Sequence, residues 1–174
     1  MITVRKAEIA EYGKIEKFYR ELINSMCDSK YKPEWEVGVY PTKRHLKNAI
    51  KKQTLFLAHQ GESLAGVMIL DHDCGPEYEN VKWQKNLEKD EVIIIHLLGV
   101  SPSLQRKGVA KQMVSNIIEM YKKDSVKAIR LDVLKNNLPS AKLYLSTGFL
   151  HIASIKMYYE DTGLTDFELF EYLL

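Results

Sequence analysis

Val92 to Val100 is the longest apolar stretch of this 174-residue chain, interrupted only by His96. A membrane-spanning helix needs about twenty apolar residues, so this run belongs inside the protein. β-Branched residues dominate it. Pro102, which cannot donate a ladder hydrogen bond, stands just beyond its end. A strand without polar alternation is covered on both faces. The run therefore predicts a central strand with helices layered on either side of its sheet, and the rest of the chain has to supply those layers.

It contains suitable elements. Ile2 to Arg5 reads as a first strand. Ala7 to Met26 reads as a helix, with Ile9, Tyr12, Ile15, Phe18, Tyr19, Leu22, Ile23 and Met26 spaced three and four apart. Asp28 to Tyr40 is a loop rich in aromatic residues. Thr42 can cap a helix running to Lys52. Leu55–Gln60 and Ser63–Asp71 read as a hairpin turning at Gly61-Glu62. Cys74 to Asp90 is a charged excursion before the central strand. Helix Arg106–Lys123, strand Lys127–Leu134 and helix Pro139–Thr147 follow, the last stopped by Gly148. Phe149–Tyr159 and Phe167–Leu174 close the chain as strands. The order gives an α/β (mixed α+β) class: one domain over residues 1–174, a central mixed sheet and helices on both faces. The open edges of such a sheet, and the apolar last strand, invite pairing into a homodimer.

Composition narrows the function. Hydrophobic residues make up 45% and charged residues 28%, the balance of a globular protein with one sizeable core. The net charge of +2 is too small for a nucleic-acid protein. Two cysteines, Cys27 and Cys74, do not make a disulfide framework, and the first residues lack a signal-peptide pattern. The expectation is a cytoplasmic protein that uses neither membrane nor nucleic acid.

The segment after the central strand is the most informative. In Val100-Ser101-Pro102-Ser103-Leu104-Gln105-Arg106-Lys107-Gly108-Val109-Ala110, a buried strand ends and a helix begins. The first amides of a helix have no intrahelical acceptor. Gly108 lets a ligand approach the backbone, and Ala110 keeps the approach open. The helix dipole, Arg106 and Lys107 add positive charge, which suits a pyrophosphate. Strand, proline, glycine and helix also follow one another in many α/β proteins that hold no phosphate. The Walker and dinucleotide-binding patterns are both absent.

Gln105-Arg106-Lys107-Gly108-Val109-Ala110 resembles the [RQ]-x-x-G-x-[GA] motif of the GNAT superfamily, the acyl-CoA-dependent N-acyltransferases. A second motif follows in the expected order. Asn137-Leu138-Pro139-Ser140-Ala141-Lys142-Leu143-Tyr144-Leu145-Ser146-Thr147-Gly148-Phe149 is similar to that family's N-x-x-A-x-x-x-Y-x-x-x-G-F, with Ser140 replacing the alanine. The resemblance is specific over residues 91–150 and looser elsewhere. It implies acetyl-CoA as acyl donor, CoA as product and direct transfer to an amine. It also implies a cofactor bound along Leu98, Gly99 and Val100 and over the loop Gln105, Arg106, Lys107, Gly108, Val109 and Ala110. Asn137 would contact the cofactor arm, and an amide near Leu98 would polarise the thioester.

Acyl transfer needs a proton for the departing thiolate and an acceptor for the amine's proton. Tyr144 matches the family's acid, and a phenol stays protonated at neutral pH. Some relatives use a strand glutamate as base, but the corresponding positions here are apolar. His96 is the candidate in the strand, since imidazole titrates in the useful range. Alternation puts it on the same side as Leu98 and Val100. Glu91 and Asp132 are weaker candidates.

Other signals have plainer readings. Asp71-His72-Asp73-Cys74 lacks the spacing of a metal site and reads as a strand-end loop. Lys43, Lys47 and Lys51 form a solvated helix face. Tyr31, Trp35 and Tyr40 anchor a loop or line an acceptor pocket. A non-catalytic CoA-binding sensor is the competing functional reading. The acceptor stays open between a small-molecule amine and a protein amine.

Overall fold

The computed structural model describes residues 2–174, and its order of elements follows the expected one. Strands β1 (Ile2–Lys6), β2 (Leu55–Gln60), β3 (Ser63–Asp71), β4 (Val92–Val100), β5 (Ala128–Leu134), β6 (Leu150–Tyr159) and β7 (Gly163–Leu173) form one sheet in the order β1-β2-β3-β4-β5-β7-β6. All neighbours are antiparallel except β4 and β5. Helices α1 (Tyr12–Ser25) and α2 (Lys43–Lys51) cover one face, and α3 (Val109–Tyr121) and α4 (Leu138–Ser146) cover the other. Among the described residues, no helix is long and apolar enough to cross a membrane.

The differences from the sequence expectations have local causes. The first helix begins at Tyr12, because Ile9–Glu11 forms a 3₁₀ turn that leaves Ile9 exposed. The third begins at Val109 rather than Arg106, because Arg106 and Gly108 both hold left-handed φ angles, 59° and 78°. The last strand starts at Gly163, and it pairs with β5 on one side and β6 on the other. It is not an edge, so the expectation that it invites a second copy is corrected. The unpaired edges are β1 and β6.

β4 departs from simple alternation. Val67 pairs with Gly99 and Ile69 with His96, so two steps along β3 match three along β4. The extra residue is a bulge at Leu97, whose φ of 53° is left-handed. It inverts the phase of the strand. Leu98 and Val100 pack on the α3 side, while Leu97 joins the core under α1 and α2. A Cβ on Gly99 would meet Leu22 and Phe18 of α1. His96 therefore lies on the face opposite Leu98 and Val100, contrary to the alternation argument.

The excursion between β3 and β4 is tied down as a strap. Arg130 of β5 and Glu171 of β7 are register partners and form an ion pair, Nε to Oε1 at 2.8 Å, with side chains 8% and 0% exposed. Each also bonds the strap. Arg130 Nη2 donates to the Lys85 carbonyl at 3.0 Å, and Glu171 Oε2 accepts from the Gln84 amide at 2.9 Å. The Trp83 ring stacks 4.2 Å from the guanidinium. The buried charges are thus paired and hydrogen-bonded, as burial demands.

Candidate active site

β4 and β5 pair only through Val92–Ile94 and Ala128–Arg130. β5 then stays with β7 along its whole length. Beyond Ile94 the edge of β4 has no strand partner on that side, and a cleft of about 790 Å³ opens between the two strands. A crevice at the carboxyl ends of parallel strands is where α/β sheets bind ligands.

The two sequence motifs converge on this cleft. His96, Leu98, Gly99 and Val100 of β4 line it with Gln105, Arg106, Ala110, Asn137 and Tyr144. Lys107, Gly108 and Val109 are not in the lining. Lys107 and Gly108 are exposed on the loop, and the Val109 side chain is buried in the α3 core. Gly108 caps α3 with no side-chain hydrogen bond, and the first turn carries no acidic residue. The Gln112 amide bonds the Gly108 carbonyl at 3.1 Å, so the amides of Val109, Ala110 and Lys111 precede the first helical bond. This is a positively polarised helix start with no side-chain cap. Asn137 caps α4, its Oδ1 accepting from the Ser140 amide at 3.3 Å, which leaves its amide nitrogen free to donate.

Tyr144 sits on α4 with its ring packed on Phe149 and Phe170. The residue is only 5% exposed, yet its hydroxyl makes no hydrogen bond within the protein. No sealed side-chain polar atom among the described residues lacks a partner, so this hydroxyl is open to the cleft it lines. Burial, aided by the charge of Asp132, pushes the phenol's pKa upward, and the group keeps its proton through neutral pH.

His96 is held by the end of β3. Its Nε2 lies 2.9 Å from the Asp73 carbonyl and 3.2 Å from Asp71 Oδ1. Both are acceptors, so the geometry assigns the proton to Nε2 and the lone pair to Nδ1. Nδ1 has no protein partner and is not sealed off. Burial alone pulls the imidazole pKa down. The hydrogen bond and charge of Asp71, with Asp132 and the Asp73 carbonyl, outweigh it, and the net shift is upward from 6.5. The Asp73 carboxylate is itself occupied by Lys89 at 2.7 Å and Lys52 at 3.6 Å.

Asp132 points to the same face as His96. Its Oδ2 accepts the Tyr78 hydroxyl of the strap at 2.8 Å and the Tyr159 hydroxyl of β6 at 3.1 Å. Glu91 is remote from the cleft; it pairs with Lys127 at the other end of β4. Sequence reasoning missed Asp71, Tyr78, Tyr159 and Asp161. Asp71 stood in the run read as a strand-end loop, and nothing in the sequence tied it to His96. Among the described residues no cluster of His, Cys, Asp and Glu is placed to hold a metal.

Comparison with known proteins places the chain in a family. Residues 19–149 match the model of the acetyltransferase (GNAT) family, and the chain belongs to that family. A [ribosomal protein bS18]-alanine N-acetyltransferase from Haemophilus ducreyi is 29% identical over 97 residues, a stretch spanning 49% of this chain and 65% of that protein. A GNAT-family acetyltransferase structure from Streptococcus agalactiae superposes with a TM-score of 0.83 at 14% identity, covering 99% of this chain and 95% of that one. The Salmonella typhimurium protein yncA, solved with its cofactor acetyl-CoA, gives a TM-score of 0.70 at 14% identity, covering 100% and 94%. At these identities the structures establish the shared fold.

Proposed function

We propose that this protein transfers an acetyl group from acetyl-CoA directly to a primary amine. The observation that carries the reading is the Tyr144 hydroxyl, unpartnered on a buried ring and open to the cleft between β4 and β5. The cleft suits the donor in shape and polarity. Its β4 wall has a free edge beyond Ile94, available to an extended amide-bearing arm as an added strand would be. Its α3 end joins free amides to Arg106, with Lys107 exposed beside it on the loop, a match for a pyrophosphate. Bound there, acetyl-CoA supplies an acetyl group activated as a thioester.

The chain's own residues have these roles. The Gln105–Ala110 loop holds the phosphates, and Asn137 donates to the cofactor arm. A β4 amide at Leu98 stabilises the charge that develops on the carbonyl oxygen. Tyr144 holds a proton and gives it to the departing sulfur. His96, oriented by Asp71 and the Asp73 carbonyl, receives the amine's proton at Nδ1. This is the logic by which a carboxylate fixes the tautomer of a catalytic histidine. Protein amines, such as the ribosomal-protein alanine named for the Haemophilus relative, and small amines are both within this reading.

The test is release of free thiol from acetyl-CoA in the presence of an amine panel. Turnover that falls roughly 100-fold or more in Tyr144→Phe, with KM unchanged, supports the assignment. Acetyl-CoA binding with no turnover of any amine would instead favour a CoA sensor.

A further inference from the structure

Arg106 is the one lysine or arginine in the cleft's lining among the described residues, and it stands at the α3 start. The lining also includes two carboxylates, Asp132 and Asp161. Neither is in an ion pair with a lysine or arginine. Asp132 spends one oxygen on Tyr78 and Tyr159, while Oδ1 accepts nothing from the protein and is not sealed. Asp161 lines the cleft half-buried in the turn between β6 and β7, and Glu34 and Glu160 add negative charge around it. The neighbouring carboxylates are otherwise engaged, Asp71 by His96 and Asp73 by Lys89 and Lys52. Tyr31, Trp35, Tyr40 and Tyr159 are the aromatic walls. The Tyr144 hydroxyl, a free polar group on a residue more than nine-tenths buried, opens into the same cavity.

A carboxylate withdrawn from water is costly unless a cation meets it. Aromatic faces beside carboxylates attract ammonium groups. We infer that the acceptor is a primary amine on an apolar frame that carries a second positive charge, the distal cation meeting Asp161 and the reacting end received at Asp132. The inference rests on the acetyl-transfer reading and names its substrate class. An acceptor bearing a carboxylate at the distal end meets like charge at Asp161 and is rejected.

The experiment is calorimetric titration of the CoA-saturated protein and of the free protein with pentane-1,5-diamine, pentylamine and 5-aminopentanoate. The expected order of affinity is diamine, alkylamine, amino acid, with about a tenfold gap between the first two, as for one charge-assisted hydrogen bond. In Asp161→Asn the gap closes while pentylamine binding stays the same. Equal affinity for diamine and pentylamine, a gap that survives in Asp161→Asn, or no diamine binding at millimolar concentration overturns the inference. Stabilisation by CoA together with any of these leaves acetyl transfer standing. Failure of CoA to stabilise the protein refutes acetyl transfer, and titration of the free protein still decides the diamine preference.

Discussion

In the proposed transfer two side chains divide the proton work, and each is set by its surroundings. Tyr144 keeps its proton because its ring is buried. His96 is set by opposing influences: burial disfavours its charge, and Asp71 favours it more strongly. Other ionisable groups face it as well: Asp132 from β5, His45 from α2, and Asp73 with its lysines. As the proposed base, His96 has to be neutral, so the acidic limb of kcat/KM is expected above pH 6.5. Asp71→Asn should move that limb down and lower kcat by roughly tenfold or more, within the range of general-base effects. A pH–rate profile in which Asp71→Asn leaves the limb in place rejects the assignment. The same shift has a stability consequence of definite sign. The folded-state pKa is raised, so His96 stabilises the fold fully below pH 6.5 and loses that contribution as pH rises through its folded value. Unfolding of His96→Gln against wild type should show the deficit on the acid side. The position of Tyr144 on the cleft was legible in the sequence because its spacing from Asn137 and Gly148 is local to one helix and its ends. The partnership of His96 with Asp71 was not, because it crosses from one strand to the next and depends on a bulge.

That bulge shows why element-level phase can be lost in a sequence. An alternating strand records its faces in its polarity, but Val92–Val100 is apolar on both, so an inserted step leaves no trace. The α3 start was more legible. Gly108 was expected to let a ligand approach closely, and it sits at a φ of 78° with nothing within 4 Å of a Cβ built there. Gly108→Ala therefore adds backbone strain of about 1–2 kcal/mol without a clash. Urea unfolding should register that cost, and the variant should bind acetyl-CoA more weakly than the wild type. The strap was visible only as a charged excursion, because its anchors, Arg130 and Glu171, lie far along the chain. Glu171→Ala leaves a buried guanidinium unpaired and should cost about 3–5 kcal/mol. Replacing both, Arg130→Met with Glu171→Leu, should cost far less. Equal losses in the single and double variants would mean that the pair is not buried as described.

At the scale of the whole molecule, one departure from sheet regularity creates the site. β5 follows β7 rather than β4 beyond Arg130, and the chain places its helix start, its tyrosine and its histidine around the resulting gap. The layered fold was readable from one apolar run and the periodicities around it. The polarity of the cleft was not, because Asp132, Asp161 and Arg106 come from three separate elements. The most direct measurement is thermal unfolding with and without acetyl-CoA. Ligand at about 100 times its dissociation constant adds roughly 2.7 kcal/mol of stability. For a domain of this size that raises the melting temperature by about 5 to 10 °C. A rise of that order is expected with acetyl-CoA and with CoA, and much less with ATP. No rise at millimolar acetyl-CoA would contradict it, because the gap between β4 and β5 would then not hold the donor.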